Sequence, residues 1–161
     1  MKANQTELAG VLLIEPTIHL DSRGRFFESY AKEKFHALGI QEDFVQDNQS
    51  LSQKNVLRGL HYRTEPEQAK LVRVIRGEVF DVVVDIRKNS PTFGKWQGFI
   101  LSDSNHLQLY IPVGFAHGFC TLMAITTVCY KVNSTYNPES EGIISWNDSS
   151  LAIDWPTSKP S

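Results

Sequence analysis

The stretch from Glu78 to Arg87 constrains this chain most. Phe80, Val82, Val84 and Ile86 fall on one face of an extended segment, and Val79, Asp81, Val83 and Asp85 on the other. Strand side chains alternate with a period of two, so this pattern is a β-strand. Shorter runs of the same kind occur at Val11–Glu15, Arg25–Tyr30, Lys70–Arg76, Trp96–Leu101, Leu107–Ile111, Ile125–Val132 and Gly142–Trp146. Turn-forming pieces separate them, among them Asp21-Ser22-Arg23-Gly24, Arg76-Gly77 and Asn89-Ser90-Pro91-Thr92, because Gly, Asn, Asp and Pro suit turn backbones. Only Ala31–Leu38 has helical character, with Phe35 and Leu38 three residues apart and Gly39 as a stop. The crossover helices that a parallel sheet requires are missing. The expected class is all-β, a sandwich or jelly roll with at most one or two short helices.

A chain of 161 residues, 41% of them apolar, can bury one core, and no repeat or Gly/Ser-rich linker divides it. A single domain over 1–161 is expected, and wholesale disorder is excluded. The net charge of −2 argues against binding nucleic acid by bulk electrostatics, so an anionic ligand must be met by local cations. Cys120 and Cys129 make neither a disulfide framework nor a four-ligand zinc site. Val11–Ile14 is too short for a signal-peptide core or a membrane span. Ser104–Tyr130 lacks Asp, Glu, Lys and Arg, but Pro112, Gly114, Gly118 and several polar residues interrupt it, which fits buried strands around a turn rather than a membrane helix. A cytoplasmic location is expected. The tail from Asp154 reads as a docked Trp155 followed by a frayed end.

Three stretches place unusual residues in an apolar context. In Leu57-Arg58-Gly59-Leu60-His61 an ideal strand would send Arg58 and His61 to opposite faces, whereas a bulge near Gly59 would aim both at one cavity. Lys70 shares strand parity with Val72 and Val74. Facing the interior, its ammonium would be costly without a partner; at a strand end it would instead snorkel to solvent. In Ile111–Phe119, Pro112 and the glycines set a tight turn, with His117 between aromatics; His117 is either a ligand-binding group or a structural histidine bonded to a carbonyl. Tyr130 and Tyr136 follow, as functional phenols or packing aromatics.

A jelly roll with a Pro-x-Gly-x-x-His turn resembles the cupins, many of which hold a metal. Here His61-Tyr62-Arg63 puts arginine at a ligand position, and Gln68 or Lys70 stands where a glutamate is usual. Cations there would repel a divalent ion, so no metal is expected. Longer motifs carry a closer resemblance: Asp21-Ser22-Arg23-Gly24-Arg25-Phe26-Phe27-Glu28, Phe44-Val45-Gln46-Asp47-Asn48, Leu57-Arg58-Gly59-Leu60-His61, Phe80–Arg87, Ser90-Pro91-Thr92-Phe93-Gly94 and Gly114-Phe115-Ala116-His117-Gly118-Phe119. Over nearly its whole length the chain resembles the dTDP-4-dehydrorhamnose 3,5-epimerase family.

That resemblance implies a cupin-type jelly roll (double-stranded β-helix) that forms a homodimer and needs no metal or cofactor. It implies inversion of carbons 3 and 5 of a dTDP-linked 4-keto-6-deoxyhexose. By similarity His61 is the base, Lys70 stabilises the enolate and Tyr130 donates the returning proton. Arg23, Glu28, Gln46, Asp47, Asn48, Arg58, His117 and Glu141 would bind substrate, some from the partner subunit, and Phe26 would pack nearby. The family's Ser-x-Lys-Asp motif beyond the Trp-Pro dipeptide, whose aspartate orients the histidine, does not occur up to Ser161. Either another carboxylate substitutes, with Asp81 and Asp85 as strand-parity candidates, or catalysis is slower or restricted to one carbon, or the natural chain continues. A single-centre epimerase of another deoxysugar pathway and a sugar-nucleotide-binding protein without turnover are the competing readings.

Overall fold

The computed structural model describes residues 1–161. Its strands are β1 (Lys2–Gln5), β2 (Leu12–Glu15), β3 (His19–Asp21), β4 (Gly24–Phe26), β5 (Gln46–Gln53), β6 (Leu57–Arg63), β7 (Lys70–Arg76), β8 (Glu78–Asp85), β9 (Trp96–Ser102), β10 (Gln108–Ile111), β11 (Phe115–Thr121), β12 (Ile125–Val132) and β13 (Glu141–Ile143). One helix, α1 (Lys32–Ala37), and a 3-10 turn at Pro138–Ser140 complete the elements. Two antiparallel sheets face each other, ordered β1-β2-β10-β7-β12-β5 and β13-β6-β11-β8-β9, while β3 and β4 form a separate hairpin. This is the jelly roll expected from the alternation and the dense turns.

The strand β8 shows why the pattern was so clear. Its Val79 and Val83 pack between the sheets with Phe99, Leu109, Phe115 and Val128. Val82 and Val84 pack on the outer side, under Trp155 and the irregular segment that carries Ile144, Trp146 and Ile153. Burial on both faces demands apolar residues at almost every position. The outer face of the six-stranded sheet is covered only in part: Phe35 of α1 and Ile40 pack on Ile14, Leu71 and Tyr110. Leu51, Ile75 and Ile125 stay exposed, as do Leu20 and Phe26 on the β3–β4 hairpin, at 79% and 72%.

Several elements differ from the sequence reading. The strand begun at Arg25 ends at Phe26, and the one sought at Gly142–Trp146 is Glu141–Ile143. The tight turn spans Pro112–Gly114 alone, so His117 sits within β11. The tail docks Trp155, whose indole donates to the Trp146 carbonyl at 2.8 Å. It is not frayed at Ser161, whose amide donates to the Asn55 carbonyl and whose carbonyl accepts from Leu57.

Candidate active site

The site begins with a register shift. Against β11, His61 pairs with His117 but Arg58 pairs with Phe119, so β6 carries one extra residue between them. Gly59 occupies this bulge with φ at +126°, and a Cβ there would lie 2.5 Å from the Gly118 Cα and 2.7 Å from the His117 carbonyl oxygen. Only glycine allows that approach. As a consequence Arg58 and His61 line one cavity of about 520 Å³ between the sheets. Arg58, His61, Arg63, His117, Phe119 and Glu141 form the wall from the five-stranded sheet; Ser50, Lys70 and Tyr130 form the opposite wall.

Lys70 is 7% exposed, and its side-chain ammonium makes no hydrogen bond or ion pair with the rest of the chain. Burial pulls its ammonium down to about 8; the charges of Asp81 and Glu141 oppose that fall and Arg63 adds to it. Register places Lys70 beside Val132 and Val72 beside Tyr130, so Lys70 and Tyr130 are diagonal neighbours on the inner face. Burial raises the Tyr130 phenol, the Glu141 charge acts in the same direction and Arg58 opposes it. The phenol therefore keeps its proton at neutral pH. Across the cavity, partial desolvation followed by the Lys70 charge lowers the His61 imidazole, with Glu141 acting against them. A neutral ring at neutral pH can accept a proton.

His117 is buried, and its Nε2–H donates to both carboxylate oxygens of Asp81 at 2.9 Å. This corrects the expectation that Asp81 or Asp85 pairs with His61. Both aspartates lie on β8, and β11 separates β8 from β6. Asp85 accepts instead from Arg87, Ser90 and Thr92; burial alone would raise its carboxyl, and these bonds together hold it well below the usual range.

Other expected binding residues lie outside the cavity of the single chain. Arg23 is paired with Asp21, and Glu28 with Lys34. Asp47 points outward to Lys131 at 2.9 Å. Gln46 donates to Asn48 at 2.8 Å, and Asn48 lines a separate cavity of about 290 Å³ with Ser29, Arg73 and Gln108. Conversely, Ser50 lines the main cavity although no motif singled it out, and Gln68, at the position where cupins usually carry a glutamate, lines it as well. The alternation Asn48, Ser50, Ser52 in small polar residues is the signal that would have found Ser50.

A base on one wall, with a protonated phenol and an unpaired ammonium on the other, is suited to removing a proton next to a carbonyl and returning one from the opposite side. The sequence model of the family described as dTDP-4-dehydrorhamnose 3,5-epimerase matches residues 5–161. The chain belongs to the dTDP-4-dehydrorhamnose 3,5-epimerase family. The epimerase of that name from Salmonella typhimurium is 55% identical over 157 residues, covering 96% of this chain and 86% of that one. A solved 3,5-epimerase from Legionella pneumophila, in complex with dTDP-4-keto-L-rhamnose, superposes with a TM-score of 0.95 at 51% identity, covering 99% of this chain and 85% of that one. A 3'-monoepimerase from Streptomyces bikiniensis in complex with dTDP-quinovose is also similar, with a TM-score of 0.91 at 34% identity, covering 97% of this chain and 80% of that one.

Proposed function

We propose that this chain inverts carbons 3 and 5 of a dTDP-4-keto-6-deoxyhexose. Both carbons flank the ketone, so their protons are acidified by it. His61 takes such a proton and becomes imidazolium, and the electron pair moves to the carbonyl oxygen. The Lys70 ammonium meets that oxygen, and the Tyr130 hydroxyl delivers a proton to the opposite face; the phenolate then takes a proton from solvent and the His61 imidazolium gives its proton up to solvent, which restores both groups. A placed base is worth about 10²–10⁴ in rate. The observation that carries the reading is Lys70: a buried ammonium without a protein partner, opposite an unpaired imidazole. Proton transfer needs no cofactor, and Arg58, Arg63 and Lys70 around the two histidines and Glu141 would repel a divalent ion.

Arg58, His117 and Glu141 bind the sugar and its diphosphate on this reading. Arg23 and Glu28 would reach the cavity from a second copy of the chain, with the Gln46-Asp47-Asn48 run at the seam. The exposed Leu20 and Phe26 of the hairpin, and Leu51 and Ile125 on the uncovered sheet, support a homodimer. No helix is long and apolar enough to cross a membrane, and two free thiols suit the reducing cytoplasm. The similarity to a monoepimerase keeps a second reading, inversion at one carbon. The test is turnover of dTDP-4-keto-6-deoxyglucose in D2O, followed by NMR. Deuterium entering both carbons supports the 3,5-epimerase, deuterium at one carbon supports the second reading, and none at either overturns both.

A further inference from the structure

The segment Asn133–Ser140 joins β12 to β13 and borders the cavity, since Tyr130 before it and Glu141 after it both line that space. No strand pairs with it. The end of β6 and the β6–β7 connection hold it instead. Arg63, 7% exposed, donates from Nη1 to the Thr135 carbonyl at 2.8 Å and from Nη2 to the Asn137 carbonyl at 2.7 Å. Gln68 Nε2 donates to the Ser134 carbonyl at 3.2 Å, and the Ala69 amide to Asn133 Oδ1 at 2.9 Å. Arg63 makes no ion pair with a carboxylate; its charge is met by carbonyl dipoles of the rim. A planar fork can bridge two carbonyls two residues apart with fixed geometry, which a point ammonium cannot.

We propose that Arg63 is a positioning residue that clamps the Asn133–Ser140 rim against the cavity and thereby sets substrate affinity, without taking part in proton transfer. The affinity half of this proposal rests on the epimerase reading above; the clamp itself does not. The rim carries Tyr136, 66% exposed, a ready site for chymotrypsin. Arg63→Met and the wild type are compared for chymotryptic cleavage after Tyr136 and for kcat and KM on the keto-sugar nucleotide. Loss of charge-assisted bonds should speed cleavage and raise KM, each about tenfold, while kcat stays within about threefold. Unchanged cleavage, or a fall in kcat at unchanged KM, would overturn the proposal. Faster cleavage in a wild-type background that never turns over substrate would retain the clamp and discard the epimerase reading with its affinity consequence. Should Arg63→Met fail to fold, Gln68→Ala carries the test: about threefold faster cleavage supports the clamp, and wild-type behaviour contradicts it.

Discussion

At the scale of single residues, Lys70 carries the largest tension between stability and chemistry. Its ammonium falls from an ordinary 10.5 to about 8 on burial. The unfolded chain then binds more protons than the folded one between those values, so stability rises with pH across that window, and below it the buried charge costs about 3 kcal/mol. Lys70→Met should therefore raise the melting temperature at pH 7 while lowering kcat by about 10²–10³ through loss of enolate stabilisation; thermal unfolding and steady-state kinetics check both halves. The same shifts shape the pH profile. The lowered imidazole of His61 sets an acid limb of kcat/KM below the usual histidine value of about 6.5. Loss of the Lys70 proton sets an alkaline limb near 8. Tyr130 is raised and contributes no limb in that range. Lys70 was legible in the sequence from its strand parity with Val72 and Val74, whereas His61 and Tyr130 were singled out through the family resemblance, since the residues alone left a structural histidine and a packing aromatic open. The Asp81–His117 pair was not legible, since it depends on β8 lying beside β11 rather than β6.

At the scale of elements, the bulge in β6 decides whether Arg58 and His61 share a cavity. Gly59→Ala would drive a methyl group into the Gly118 backbone, where the ideal Cβ already lies 2.5 Å from Cα. The expected outcome is a loss of at least about 2 kcal/mol by chemical denaturation, together with a fall in kcat larger than that of a mutation remote from the cavity. The bulge could be anticipated from glycine between two polar residues, and Lys70–Arg76 and Ile125–Val132 were read with the bounds observed. Strand β5 was not read as a strand, for a physical reason: its inner face carries Gln46, Asn48, Ser50 and Ser52, so no apolar alternation marks it. The glycines and Pro112 suggested a turn through His117, but Gly118 serves the close approach to Gly59 within paired strands.

At the scale of the whole molecule, the cavity of one chain holds His61, Lys70 and Tyr130 but neither Arg23 nor Glu28. A hairpin that stands apart from both sheets with Leu20 and Phe26 exposed fits an arm that completes a neighbouring copy. On that basis, co-expressing Arg23→Ala with His61→Ala should recover activity that neither variant has alone, because one site of each mixed dimer is intact; assaying the purified heterodimer checks this. The proposed mechanism divides the chemistry between the two walls, with the base on one and the acid on the other. It is tested most directly by following deuterium and configuration at carbons 3 and 5 with Tyr130→Phe in D2O. Deuterium entering from solvent without inversion is the expected result, because His61 can still remove and return a proton on its own face. Inversion at the wild-type rate in that variant would contradict the claim.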